Sequence, residues 1–318
     1  MQVHRNLKQL PTFTNAIVTI GTFDGVHVGH QKIIDLLNEE ARLVNGETVI
    51  ITFDPHPRSV VKHLDSAVPL ITTLDEKIAL LEKAGITHLV IVPFDEAFAN
   101  QTPEAYVASF LYHYFRPHTI VIGYDHRFGK NRAGDYHLLE RMGKELGFVV
   151  KEIPEAVLNE IIVSSTQIRN ALHGHQIELA NAFLGYPFFF AGKVVLGNQL
   201  GRTIGFPTAN MQMLHEQKLI PANGVYAVAV YWKEGLTKQR FWGMMNIGVR
   251  PTINGHDRVI EVHIFEFDDT IYGQELQIQV HAFLRSEQKF AGIAALKEQL
   301  FLDAELAKKT LQQLNIPA

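Results

Sequence analysis

At 318 residues the chain exceeds one typical domain and is long enough for two, each burying its own core. Its 29 Lys and Arg against 33 Asp and Glu leave a net charge of −4, without the basic excess of a nucleic-acid binder, so no nucleic-acid partner is expected. The absence of cysteine excludes disulfides, thiolate zinc sites and a cysteine nucleophile, and no apolar run approaches the ~20 residues that span a bilayer, so no membrane partner is expected either.

In chain order, residues 16–22 read as a short apolar, β-branched strand, and 30–45 as a helix whose apolar residues (Ile33, Ile34, Leu36, Leu37, Ala41, Leu43, Val44) recur near helical spacing. Between them stands Gly21-Thr22-Phe23-Asp24-Gly25-Val26-His27-Val28-Gly29-His30. At such a mouth the free N–H groups and the positive end of the helix dipole face outward. Gly25 and Gly29 admit a bulky anion, and His27 and His30 add directed donors, so the segment reads as a phosphate site that also takes in Gly21, Phe23 and Asp24. Taken singly, histidines in a chain with 16 of them are ordinary surface or core residues; the strand-to-helix context speaks for a site. Gly-x-x-x-x-Gly-Lys-Ser/Thr is missing and Gly-x-Gly-x-x-Gly does not occur at this turn, which argues against P-loop and hydride chemistry.

The alternation continues: strand 47–53, helix 75–84, strand 88–92, helix 103–115, strand 119–123, helix 135–146, strand 148–152, and helices 166–173 and 176–184. Thr102-Pro103-Glu104 is a good helix start, and Gly85 and Gly147 are good stops. The pattern predicts an α/β domain with a doubly wound parallel sheet, whose loops gather at the carboxyl ends of the strands where ligands bind. Three further segments fall at such places: Asp54-Pro55-His56-Pro57, Gly123-Tyr124-Asp125-His126-Arg127-Phe128-Gly129, and Val163-Ser164-Ser165-Thr166-Gln167-Ile168-Arg169. Ser164, Ser165, Thr166 and Arg169 are candidate phosphate contacts, although Ser165 or Thr166 equally suits a helix cap. Asp125 and Arg127 are candidates too, Arg127 being equally suited to an exposed loop and His56 to a structural role.

From Phe188 the texture changes to short runs (Phe188 to Val195, Val225 to Tyr231, Phe241 to Ile247, Val259 to Phe267, Leu276 to Phe283) separated by Asn223-Gly224, Asn254-Gly255 and Tyr272-Gly273. This predicts an antiparallel barrel or sandwich closed by a helix near 291–313, and domains 1–185 and 186–318. Within it, Gly201-Arg202-Thr203-Ile204-Gly205-Phe206-Pro207-Thr208-Ala209-Asn210 follows Gly192-Lys193-Val194-Val195-Leu196-Gly197. Pro-Thr-Ala-Asn alone reads as a turn. With Gly192, Gly201 and Gly205 for close backbone approach, and Lys193 and Arg202 for countercharge, it reads as a nucleotide site in which Thr208 and Asn210 offer hard oxygens to Mg²⁺.

The N-terminal decamer resembles the His-x-Gly-His signature of the nucleotidyltransferase superfamily in its flavin-adenylylating form. The second half resembles riboflavin kinase through the Gly201–Asn210 segment, Gly224 to Val228, Asn246 to Thr252, Glu261-Val262-His263, Tyr272-Gly273 and Leu284 to Phe290. From near residue 14 to near 310 the chain resembles the bacterial bifunctional riboflavin kinase/FMN adenylyltransferases, or FAD synthetases. The resemblance implies that the C-terminal domain moves the γ-phosphate of ATP to riboflavin, with Glu261 as base and Mg²⁺ on Thr208 and Asn210. It implies that the N-terminal domain then adenylylates FMN with a second ATP, releasing pyrophosphate, while His27 and His30 stabilise the developing charge; a cytoplasmic enzyme of undetermined oligomeric state follows. Without the resemblance, Glu261 in Ile260-Glu261-Val262-His263-Ile264 is an exposed strand carboxylate. Phe206, Tyr226 and Phe290 suit either a flavin ring or the core. One departure stands out: where the family has Gly-Glu-Asn/Asp-Phe-Arg-Phe-Gly, this chain has Tyr124 and His126. A single-activity transferase or a flavin-sensing regulator are the other readings, and intact motifs in both halves favour two activities.

Overall fold

Alternate residues of the early strands are apolar on both faces, as a parallel sheet covered by helices on each side requires. Val18, Ile20, Val49, Ile51, Val90 and Ile120 enter one core with Phe110, Leu111 and Phe115, whereas Ile17, Ile50, Leu89, Ile91 and Val121 enter another with Ile34, Leu37 and Leu81. The computed structural model describes residues 1–60, 68–123, 126–153, 163–197, 199–234, 237–252 and 255–314. Its strands β1 (Gln2–His4), β2 (Ile17–Ile20), β3 (Thr48–Phe53), β4 (His88–Val92), β5 (Thr119–Gly123) and β6 (Val149–Ile153) form one sheet in the order β1-β4-β3-β2-β5-β6. Every ladder in it is parallel. Helices α1 (Val28–Leu43) and α2 (Leu74–Lys83) supply one core. The run Pro103–Ala105, Tyr106–Tyr112 and His113–Phe115, π-helical in its middle segment, and α3 (Tyr136–Leu146) supply the other.

Strand order reverses beside β2: the chain fills β3, β4 and β1 on one flank, then β5 and β6 on the other. The β2–β5 ladder covers only Ile17↔Thr119 and Val18↔Ile120, while β2–β3 runs on to Ile20↔Ile51. Past Val18 the Thr19 hydroxyl donates to the Val121 carbonyl at 2.8 Å in place of a ladder bond. The sheet therefore parts at the carboxyl end of β2, where a doubly wound fold takes its ligand. β2 ends at Ile20, short of the expected residue 22, and β1 was not expected at all, three residues being too few to show periodicity.

Packing divides the chain into Met1–Ser165 and Thr166–Ala318. The texture change placed at residue 185 marks where the barrel starts, whereas packing counts α4 (Ser165–His173) and α5 (Ile177–Leu184) with the barrel. The Ala222 N–H donates to the Leu172 carbonyl at 3.2 Å, and the Asn181 side chain both donates to the Val280 carbonyl at 2.9 Å and accepts from the Phe188 N–H at 2.7 Å. The barrel is closed and antiparallel, in the order β10-β11-β8-β7-β12-β9, from β7 (Phe188–Val195), β8 (Ala209–Met213), β9 (Gly224–Glu234), β10 (Thr237–Thr252), β11 (Gly255–Ile264) and β12 (Glu275–Arg285). β8, read from sequence as a turn, completes the circle and leaves no open edge. Of the expected Asn254-Gly255 turn, Asn254 lies outside the described residues.

The terminal helix α6 (Ile293–Gln313) lays Ala304, Ala307 and Leu311 on Ala227, Met244 and Phe265 of the barrel. A forked pair fixes it: Arg285 Nε and Nη2 donate to Asp303 Oδ1 and Oδ2 at 2.8 and 2.6 Å, and Gln299 Nε2 donates to Oδ1 at 2.9 Å. Asp303 is 1% exposed, so Arg285→Ala strands a buried carboxylate and lowers stability by about 3–5 kcal/mol in urea unfolding. At the irregularity between Val280 and Ala282, His281 is buried against Trp242. Burial, then the nearby Arg240 cation, pushes its pKa from 6.5 down to about 4. Between those values only the unfolded chain takes up the proton, so stability falls as pH drops from 6.5 toward 4. His281→Gln, which does not titrate, flattens that fall in urea midpoints measured at pH 7 and pH 5.

Candidate active sites

The β2–α1 turn is the most constrained backbone of the first unit. Phe23 (φ +47°), Gly25 (φ +87°) and Val26 (φ +34°) all occupy left-handed conformations, and a β-branched residue there is strained. Side chains from three directions hold them. The Thr72 backbone N–H donates to Asp24 Oδ1 at 3.0 Å, the Gly25 N–H donates to Thr72 Oγ1 at 3.0 Å, and the Ser165 hydroxyl donates to the Asp24 carbonyl at 3.0 Å. From the β3 side the Thr52 hydroxyl donates to the Thr22 carbonyl at 3.2 Å and accepts from Lys77 Nζ at 3.4 Å.

The turn delivers His27 to the N-cap of α1 with no side-chain cap bond, so its first-turn N–H groups keep their outward aim. The His27 and His30 rings stack with centroids 3.7 Å apart, and Phe23 flanks His30 at 4.8 Å. A Cβ on Gly29 would lie 3.2 Å from the His27 ring, so glycine makes room for the imidazole. His27 is buried and His30 half-buried, and the Nδ1 of each is itself buried and lacks a hydrogen-bond partner among the described residues. Burial pushes His27 down to about 4 against the pull of the Asp24 carboxylate. Burial, with His27 and the Lys77 cation beside it, holds His30 well below its ordinary 6.5. Buried polar atoms without partners are rare in folded proteins, and at a helix mouth such atoms suit contact with an anion.

Of the other expected contacts, Gly21 lies against the Phe23 ring and Ser164 is exposed. Thr166 and Arg169 fall in the second unit on α4, exposed and buried respectively. Arg127 is exposed and pairs with Asp135 at 3.3 Å. Asp125 and Tyr124 lie outside the described residues. His56 accepts from the Arg58 N–H at 3.2 Å, stabilising its own turn. Thr52, Thr72 and Lys77 were not foreseen: Thr72-Thr73 reads as a helix cap, and nothing in the sequence separates Lys77 from a solvated helix lysine.

In the second unit a cavity of about 270 Å³ opens among Gly201, Thr208, Asn210, Asn246, Glu261 and His263, with Phe206, Arg285 and Phe290 also lining it. The barrel register makes one polar rung across three strands, Asn246 on β10 opposite Glu261 on β11 opposite Asn210 on β8. Asn210 packs so closely on Gly197 that any Cβ there would collide with its amide, and a Cβ on Gly201 would strike the Phe206 carbonyl. His263 Nδ1 lies 2.8 Å from the Pro207 carbonyl and fixes the loop that carries Thr208. Thr208 and Asn210 thus present hard oxygens beside Glu261, a donor set that suits Mg²⁺. Gly205 serves the Gly201–Phe206 turn through its φ of +88°. Gly192 stands in the β7 ladder opposite Met213, and neither it, the exposed Lys193 nor the exposed Arg202 lines the cavity. Tyr226 is fully buried, its hydroxyl donating to the Ala222 carbonyl at 2.5 Å, and is core. Asn246 and His263 were legible only as parts of longer resembling segments.

Known proteins match both halves. The FAD synthetase family model matches residues 10–167 and the riboflavin kinase family model matches residues 184–311. The bifunctional riboflavin kinase/FMN adenylyltransferase of Escherichia coli (strain K12) is 37% identical over 98% of this chain and 97% of its own. The protein of the same name from Haemophilus influenzae is 39% identical over 92% of each. A crystal structure described as a macrolide-efflux protein from Streptococcus pneumoniae superposes with a TM-score of 0.85 at 29% identity, covering 96% of this chain and 98% of that one. Efflux is said of that protein; among the described residues here no helix is long and apolar enough to cross a membrane. A phosphate-ready helix mouth in a parallel sheet, followed by a barrel cavity with a carboxylate, is thus matched end to end, and the chain belongs to the bifunctional riboflavin kinase/FMN adenylyltransferase family, converting riboflavin to FMN and FMN to FAD with ATP.

Proposed function

We propose that adenylyl transfer takes place at the β2–α1 turn of residues 1–185 and riboflavin phosphorylation in the barrel cavity of residues 186–318. The pair of imidazoles with buried, unpartnered Nδ1 atoms at a helix mouth carries the first assignment. There an FMN phosphate oxygen attacks the α-phosphorus of ATP and the bond to pyrophosphate breaks. The attacking phosphate is already anionic, so no base is needed; the protein has to neutralise charge. Resting imidazoles kept neutral by burial gain protons when the triphosphate's negative charge arrives, because an opposite charge favours the protonated form. Backbone at Gly21, Phe23, Gly25 and Gly29 lets the anion approach, Asp24 holds the turn, and Ser164 and Ser165 extend the cradle. Asp125 and Arg127 are assigned to the loop after β5.

In the barrel, Glu261 takes the proton of the riboflavin 5′-hydroxyl, whose oxygen attacks the γ-phosphorus while ADP leaves. Thr208 and Asn210 would hold Mg²⁺, which when bound neutralises phosphate charge. Gly201 brings backbone close to the nucleotide, Phe206 and Phe290 offer faces to the flavin, and Arg202 supplies exposed countercharge. Use of cellular ATP by a chain without a membrane-crossing helix among its described residues fits a cytoplasmic place of action.

Two single variants separate the sites. His30→Ala lowers FAD formation from FMN and ATP by about 10²–10³-fold and spares FMN formation, whereas Glu261→Gln lowers FMN formation by about 10²–10⁴-fold and spares adenylylation. Chromatography of both products checks this; loss of both activities in either folded variant overturns the two-site reading. Proton uptake on ATP binding, read by calorimetry in buffers of differing ionisation heat, is smaller in His27→Ala and His30→Ala than in the parent chain.

A further inference from the structure

A lysine is an unfavourable residue for the place that Lys77 occupies. It stands in the first turn of α2, where the helix dipole disfavours a cation, and only 6% of it is exposed. A buried ammonium persists only where its surroundings need the charge. The surroundings are the adenylylation turn. Lys77 Nζ donates to Thr52 Oγ1 at 3.4 Å, and the same hydroxyl donates to the Thr22 carbonyl at 3.2 Å, one residue before the strained Phe23. On the other side of the turn, Thr72, two residues ahead of α2, holds Asp24 Oδ1 and the Gly25 N–H. The start of α2 therefore grips the turn twice.

The charged groups around it complete the picture. The carboxylates of Asp24 and Asp54 oppose the burial that drives Lys77 below its ordinary pKa. Lys77 in turn faces His30, which His27 also faces, while Asp24 pulls His27 the other way. One buried cation thus balances Asp24 and Asp54 and adds to the burial that lowers the His30 pKa.

We propose that Lys77 is a positioning residue for adenylyl transfer, bracing through Thr52 the β2–α1 turn that carries His27 and His30. This rests on the assignment of His27 and His30 to that reaction. The test uses the full chain with Lys77→Met, measuring kcat/KM for FAD formation, FMN formation as internal control, and the titration of the His30 imidazole by NMR, its resonance identified by its loss in His30→Ala. The expected result is a fall in FAD formation of about 10²-fold, FMN formation within about twofold of the parent, and a His30 pKa higher than in the parent. Lys77→Met/Asp24→Asn, which removes the first of the two carboxylates that face Lys77 together with the cation, keeps the experiment decisive if the single variant fails to fold, and the same upward shift is expected in it. An unmoved His30 titration, or FAD formation within about twofold of the parent, overturns the inference whatever the melting temperature does. If instead His30→Ala retains FAD formation, the site assignment fails and not the role of Lys77 in the turn.

Discussion

The β2–α1 turn, held by hydrogen bonds from Thr52, Thr72 and Ser165, is the constraint that sets how His27 and His30 are presented at the mouth of α1. With Phe23, Gly25 and Val26 all at positive φ, the chain between β2 and α1 sits where two of the three residues are strained. The strain persists because Thr52, Thr72 and Ser165 each fix one backbone or carboxylate atom of the turn. The same turn stacks the imidazoles over Gly29, where a larger residue would meet the His27 ring. The turn lies beside the reversal of strand order at β2, the place where a doubly wound sheet takes its ligand. Sheet topology, turn strain and free imidazole nitrogens are thus linked: loosening the turn would let the rings find partners within the protein and cost the site its donors.

The barrel reaches an equivalent result by register. Because side chains alternate along a strand, Asn246, Glu261 and Asn210 share a face only if β10, β11 and β8 are paired as they are, and a slip of one residue on β11 would turn Glu261 away. Closure of the sheet removes the free edges at which such a slip begins. The Arg285–Asp303 fork then ties α6 to β12 beside the cavity, and both residues of the fork line it, so the clamp that secures the helix also shapes the pocket wall.

What was legible in the sequence follows from how local each signal is. Strands His88–Val92, Thr119–Gly123 and Phe188–Val195 were read with their observed ends because a uniform apolar run or an alternation declares itself within five to eight residues. β8 was missed because its start reads as a Pro-Thr-Ala-Asn turn, which masks the alternation of Ala209, Met211 and Met213 with Asn210 and Gln212. The helix at 103–115 was placed by its Thr102-Pro103 start, but its π-helical middle was not, since that depends on how Tyr106 and Phe110 pack on the sheet. At the sites, His27, His30, Thr208, Asn210 and Glu261 belong to compact motifs and were readable. Arg127, Gly192 and Lys193 fit the same motifs, yet the exposed ion pair with Asp135 and the β7 ladder account for their places. Lys77 and the Arg285–Asp303 fork were invisible because burial and pairing across long separations leave no trace in spacing.

Under the assignment proposed above, the two sites bring charge to a phosphate in different ways, as their reactions require. Phosphorylating an alcohol requires removing a proton, and the barrel supplies a carboxylate on the same rung as fixed, hard oxygens whose character does not change with pH. Joining two phosphates requires no base, only suppression of repulsion between anions. Permanent cations facing each other in a buried turn would repel when no substrate was present. Imidazoles lowered by burial avoid that: the His27 and His30 rings stack at 3.7 Å, and under the proposed assignment an incoming triphosphate would supply the field that favours their protonation. Among the described residues Lys77 is the cation that acts on His30, and Asp24 and Asp54 offset the burial of its charge.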